Sequence, residues 1–234
     1  MEGMTRSATA ATPAIREMRD FLFAHATDYD AARAGFVWPE VDEFNFALEW
    51  FDVIAGENPD RPAVQIVDAD LSMRSWTYGE LARRSDQVAA WLTGLGIRRG
   101  DHVIVMLGNT IELWETMLAL TKIGAVSIPT STLLSASDLE YRITHGRARA
   151  VVTVGALADR LAGIDAGILR IGVGDGVPAH WVPFDDATGA PAAFEPDAPT
   201  PATNTALLYF TSGTTNRPKL VQHTHVSYPI GHLS

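Results

Sequence analysis

Three stretches that open on a capping pattern, each followed by a short apolar run, confine this chain to one broad class of fold. Thr77 with Glu80, Asn109 with Glu112 and Ser137 with Glu140 have the hydroxyl- or amide-then-Glu spacing of a capping box, in which both side chains satisfy orphan amides at a helix start. The first leads into Leu81, Val88 and Leu92 and stops at Gly94 or Gly96. The second carries Trp114, Met117, Leu118 and Thr121 before Gly124, and the third runs through Leu139 and Ile143 to Gly146. Each is followed by a β-rich run: 102–107, 125–128 and 150–154. Helices alternating with short apolar strands predict an α/β fold, a largely parallel sheet flanked on both faces by helical crossovers.

Upstream, 63–67 and 73–78 read as strands around Asp68-Ala69-Asp70, 44–54 as an amphipathic helix ending near Gly56, and 14–25 as a further helix. Residues 1–35 are expected to form an N-terminal extension, partly helical. Ile168 to Val173 reads as another strand. From 173 to 204 six prolines interrupt any periodicity, which predicts a surface connection with one short strand over 180–184. Trp50, Trp91 and Trp114 stand at helical spacing among apolar residues and are expected in the core.

Charge and composition narrow the function. A formal net charge of −10 and a pI near 5.1 set a field that repels polyanions, so no nucleic-acid partner is expected and any phosphate site has to be local. The absence of cysteine removes disulfides, thiolate metal sites and thiol nucleophiles. Met1 to Pro13 lacks the apolar core of a secretory signal and no span approaches a membrane-crossing length, so a cytoplasmic location is expected.

The apolar run 205–210 delivers a polar segment, Thr211, Ser212, Gly213, Thr214, Thr215, Asn216, Arg217, Pro218 and Lys219. Its hydroxyls and amides can converge on phosphate oxygens, and Lys219 supplies a mobile point charge. Gly213 permits close backbone approach, and Pro218 holds Arg217 extended so that Lys219 has a defined position. The lysine follows proline and precedes Leu220-Val221, so the chain continues as strand. That excludes a Walker A loop, whose lysine opens a helix. The glycines between 94 and 100 lie after a helix and before a strand, the reverse of a dinucleotide fingerprint, and read as a helix stop and turn. Gly172, Gly174 and Gly176 read as loop glycines. His223 and His225 would face one side of a strand and could share a metal, but without a third ligand at suitable spacing they read as structural or pocket histidines, so no metal ligand is assigned. Asp185-Asp186 reads as solvated, and Arg98 and Arg99 as cations decorating a helix end.

Tyr209 to Lys219 resembles the phosphate-loop signature of the adenylate-forming enzymes, the superfamily of acyl-CoA synthetases, peptide-synthetase adenylation domains and luciferases. Trp76-Thr-Tyr-Gly-Glu-Leu81, Gly100-Asp101-His-Val103, Lys122-Ile-Gly-Ala-Val126 with Ile128-Pro129, and Glu140-Tyr-Arg-Ile143 are similar to it as well. Trp38-Pro-Glu40 and Phe44-Asn-Phe-Ala47 look most like medium-chain AMP-forming acyl-CoA synthetases. The resemblance covers residue 36 onward and implies an incomplete N-terminal AMP-binding domain over 36–234, without the C-terminal domain. It implies that a carboxylate attacks the α-phosphorus of Mg·ATP, giving acyl-AMP and pyrophosphate, after which the CoA thiol displaces AMP. Thr211 to Thr215 would wrap the β- and γ-phosphates and Lys219 would neutralise the leaving pyrophosphate, which are binding and electrostatic roles.

Asn216 stands where the family usually has a second glycine, and Asn tolerates the left-handed region better than most residues. The family's magnesium segment, ribose aspartate and catalytic lysine have no counterpart here. The expected partners are therefore ATP, Mg2+, CoA and a carboxylic acid, with no catalytic residue within these 234 residues and an unpaired sheet edge open to self-association or a partner chain. Two other readings remain: a noncatalytic nucleotide-binding or interaction module derived from such a ligase, and an adenylation domain of another subfamily.

Overall fold

The computed structural model describes residues 8–164, 167–211 and 218–232. Helix α1 (Ala11–Ala24) and α2 (Tyr29–Gly35) precede a turn of π-helix, Phe46–Phe51, that runs straight into α3 (Asp52–Glu57). Strands β1 (Pro62–Val67) and β2 (Met73–Thr77) then pair antiparallel as a separate ribbon. The main sheet is built from α4 (Tyr78–Gly94), β3 (His102–Met106), α5 (Ile111–Ile123), β4 (Val126–Pro129), α6 (Ala136–His145), β5 (Ala148–Val154), β6 (Leu169–Val173), β7 (Val182–Pro183), β8 (Thr205–Thr211) and β9 (Lys219–Thr224). A short α7 (Ser227–Gly231) follows. Its strand order is β7-β6-β5-β3-β4-β8-β9, parallel throughout except that β9 runs antiparallel to β8.

Alternation along each central strand explains why both faces are covered. Val103 and Val105 of β3 pack with Val88, Leu92, Ala119 and Leu120 of α4 and α5. Their neighbours Ile104 and Met106 pack on the other face with Leu139 and Ile143 of α6. A strand buried on both faces reads as a continuous apolar run, as in 102–107. The α/β fold expected from the sequence is the fold observed.

Local chemistry fixes the helix ends, in places differently from the spacing. Thr77 and Glu80 form the reciprocal box at α4. Helix α5 instead starts after Thr110, which is extended (φ −123°, ψ 163°) and caps nothing with its side chain, so Asn109 is not the cap. Helix α6 starts two residues earlier than its Ser-Glu spacing indicates, because the Ser135 hydroxyl accepts from the Asp138 amide and donates to the Asp138 carboxylate. Gly124 ends α5 at φ +76°, where a Cβ would meet Arg99 Nη1 at 2.9 Å.

Four further expectations are corrected. Trp114 is 42% exposed, whereas Trp50 and Trp91, half-buried, pack against the core as expected. Gly172 lies within β6, pressed against Val177, and is not a loop glycine. The proline-rich segment is no simple surface connection: Phe184, Ala187, Phe194 and Ala202 are buried, and the Arg84 guanidinium lies over the Phe184 ring. Arg98 does bond helix-end carbonyls, but Arg99 reaches across to Asp197, the Ala198 carbonyl and Thr200, so it pins that segment.

Two buried charge clusters tie the helices together. Lys122 is fully buried (0% exposed), with its ammonium 2.9 Å from Asp52 and 2.7 Å from Asp86, and donates to the Ala82 carbonyl. This joins α3, α4 and α5. Glu115 pairs with Arg84 at 3.0 Å, and burial, only partly offset by that cation, pushes its carboxyl up to about 7. The ordinary value is 4.5, so across that window the folded state holds a proton the unfolded chain has released. Stability from this group therefore falls as pH rises through 7.

Removing the cation from the Lys122 cluster leaves two carboxylates without their shared counter-charge. Lys122→Met is expected to cost about 3–5 kcal/mol in urea unfolding, whereas Arg74→Ala, which breaks an exposed pair with Asp68, should cost under about 1 kcal/mol.

Candidate functional site

Strand β8 carries the polar segment to the C-terminal edge of the sheet. Because it lies parallel to β4, with Ser127 opposite Leu207, Thr211 and the C-terminal end of β4 open onto one edge. Ligands of open α/β sheets gather at such an edge. The chain then returns antiparallel as β9, and the cross-strand register sets Leu207 opposite His223, Tyr209 opposite Val221, Phe210 opposite Leu220 and Thr211 opposite Lys219.

Of the segment expected to hold phosphate, Thr211, Pro218 and Lys219 are described, and Ser212, Gly213, Thr214, Thr215, Asn216 and Arg217 lie outside the described residues. Thr211 and Lys219 form the last cross-strand pair. Both are exposed, and the Thr211 hydroxyl donates to the Lys219 carbonyl at 3.5 Å. The lysine is therefore seated in a strand, as its Pro-Lys-Leu-Val context predicts, and its cation is presented at the hairpin end. A hydroxyl and an ammonium opposite each other suit a polyphosphate.

The two faces of the hairpin differ. Leu208, Phe210 and Leu220 pack into the core beside α6. The Phe210 ring is contacted by Tyr141 and His145, with the Arg142 guanidinium 4.8 Å from its centroid. The Tyr141 hydroxyl donates to the Pro218 carbonyl at 3.4 Å. The sequence marks 140–143 only as a similar segment and assigns these side chains no role. The available signal is spacing, since positions 141 and 145 fall on one helix face.

The opposite face, shared by Tyr209, Thr211 and Lys219, adjoins an apolar cavity of about 600 Å³, lined by Phe44, Trp50, Leu113, Met117, Leu207 and Tyr209 among others. At its rim the Tyr209 and Tyr228 hydroxyls bond at 3.0 Å, and burial, then this bond, raises the Tyr209 pKa. His223 packs edge-on against both tyrosine rings. His225 is buried, and burial together with the Arg99 charge lowers its pKa to about 4. Among the described residues no three His, Cys, Asp or Glu side chains form a metal-holding group, and no helix is long and apolar enough to cross a membrane.

Comparison with known proteins decides the lineage. The family described as AMP-binding enzyme matches residues 51–230. The chain belongs to that family. It is similar to the mitochondrial acyl-coenzyme A synthetase ACSM5 of Mus musculus, 32% identical over 206 residues, covering 84% of this chain and 36% of that relative. It is similar also to the acyl–CoA ligase YtcI of Bacillus subtilis, 35% identical over 170 residues, covering 71% of this chain and 31% of that one. Among solved structures, the acyl-CoA synthetase of Brucella canis superposes with a TM-score of 0.76 at 28% identity, over 84% of this chain and 38% of that one. The chain thus spans about a third of the length of these relatives.

His225 gives this site a pH signature. Its ordinary value of 6.5 is lowered in the folded state, so its contribution to stability is complete above 6.5 and is lost as pH falls toward 4. From pH 7 to 4.5, unfolding titrations should show wild type losing about 2–3 kcal/mol relative to His225→Phe.

Proposed function

We propose that this chain supplies the phosphate-binding part of an ATP-dependent carboxylic-acid activation, the acid–thiol ligase chemistry of an AMP-forming acyl-CoA synthetase. The observation that supports this most is the Thr211–Lys219 pair at the sheet's C-terminal edge, in a family described as AMP-binding. In this reading residues 211–219 hold the β- and γ-phosphates. A carboxylate oxygen attacks the α-phosphorus, the bond to the bridging oxygen breaks, and pyrophosphate leaves with that electron pair. The thiol of CoA then displaces AMP. Magnesium, bound with ATP, neutralises phosphate charge.

The contribution of these residues is positioning and charge stabilisation. Lys219 meets the charge that accumulates on the leaving pyrophosphate, and the hydroxyls and amides of the segment orient it. Thr211 and Lys219 suit this because both are exposed. No general base is required of this chain, since the attacking group is already a carboxylate at neutral pH.

A second reading, a nucleotide-holding module completed by a further polypeptide, is favoured by the apolar cavity with Trp114 exposed beside it. One set of samples addresses both. Mg·ATP binding by calorimetry should weaken about tenfold or more in Lys219→Ala and less in Lys219→Arg. Carboxylate-dependent ATP–pyrophosphate exchange, run in parallel, should appear only when polypeptide matching the rest of the relatives' length is added. Equal ATP affinity in wild type and Lys219→Ala would contradict the proposed role of the lysine.

A further inference from the structure

We infer that helix α6 positions Lys219, with Tyr141 and Arg142 as the residues that fix where it is presented; the inference rests on the reading of 211–219 as a phosphate site. Strand β9 stands at the border of the sheet and, among the described residues, pairs with no strand but β8. The register between β8 and β4 is Ser127 opposite Leu207, so Phe210 and Thr211 run beyond that pair toward the hairpin end. Strand ends that project from a sheet need another support if the charge of Lys219 is to hold one position.

Helix α6 gives that support to both arms. On the outgoing arm, Phe210 is held by an edge-on contact with Tyr141 (centroids 6.1 Å apart) and a contact with His145 (6.2 Å), and the Arg142 guanidinium lies 4.8 Å from its centroid. Gly146 ends the helix without a side chain: a Cβ there would lie 2.6 Å from the Arg142 carbonyl oxygen and 3.0 Å from Ile128 Cδ1, so a side chain would disturb the last turn of α6. On the returning arm, Tyr141 donates its hydroxyl to the carbonyl of Pro218, whose peptide unit carries the backbone nitrogen of Lys219. One side chain thus braces Phe210 and orients the plane from which Lys219 departs.

The helix is itself firmly seated, since Leu139 and Ile143 are buried in the core. Burial holds Arg142 somewhat below its ordinary pKa, and Asp138 counters this. Arg142 remains a cation and presents its charge to the Phe210 ring. Tyr141 is accordingly a positioning residue acting through Lys219.

Tyr141→Phe removes the bond to the Pro218 carbonyl and keeps the ring against Phe210. Affinity for Mg·ATP and for inorganic tripolyphosphate should fall by the same factor, about three- to tenfold, with the thermal midpoint within about 1 °C of wild type. Arg142→Lys should keep most of the tripolyphosphate affinity that Arg142→Met loses. Unchanged affinity in Tyr141→Phe, with wild type binding, would overturn the positioning role and leave the phosphate reading standing. A drop in affinity matched by a drop of several degrees in midpoint would assign Tyr141 a structural role only, against the inference. Failure of wild type to bind tripolyphosphate would overturn the phosphate reading and this inference with it.

Discussion

The candidate site depends on strand β8 lying beside β4. The chain adds β5, β6 and β7 outward on the far side of β3 before returning across the sheet to place β8 against β4. Only that return brings Phe210 and Pro218 against α6. It has to be held, and the proline-rich segment is held by Arg99, which bonds Asp197, the Ala198 carbonyl and Thr200. Phe184, Ala187 and Phe194 bury their side chains in the face that α4 and α5 cover. A long crossover is costly to order, and buried aromatic side chains with a branched cation offset much of that cost. The returning strand is then fastened by Leu208 and Phe210 on the α6 side.

The same economy governs the buried charges. Lys122 occupies a position where an apolar residue would pack, yet it reaches Asp52 on α3 and both Asp86 and the Ala82 carbonyl on α4. Such a cluster adds little net stability against an apolar replacement of the whole set, but it penalises any arrangement that separates its members. It fixes α3 and α4 against α5, and α5 lines the cavity beside β8.

Much of this was legible in the sequence because the signals were local. Alternating helices and apolar strands predicted the α/β class, and Pro218-Lys219 before Leu220-Val221 predicted a lysine in a strand rather than at a helix start. What escaped was set by contacts between distant residues. Lys122 could be noticed as part of a similar segment, but nothing in its neighbours says that Asp52 and Asp86 will meet it. Arg99 reads as a helix-end cation until residues 197–200 arrive beside it. Asn109 and Ser137 have the right spacing for caps, but the backbone enters each helix where Thr110 is extended and where Ser135 can bond Asp138. Tyr141 and Arg142 take their meaning from Phe210 and Pro218, far along the chain. Ser212 to Arg217, which carry much of the resemblance, lie outside the described residues.

The central claim is that 211–219 holds the phosphates of ATP on a braced hairpin. Residue-resolved amide hydrogen exchange with and without inorganic tripolyphosphate tests it most directly, because it reports location and needs no turnover. New protection is expected, confined to 211–219 and the part of α6 around Tyr141 and Arg142. Protection centred elsewhere, or none at saturating tripolyphosphate, would contradict it.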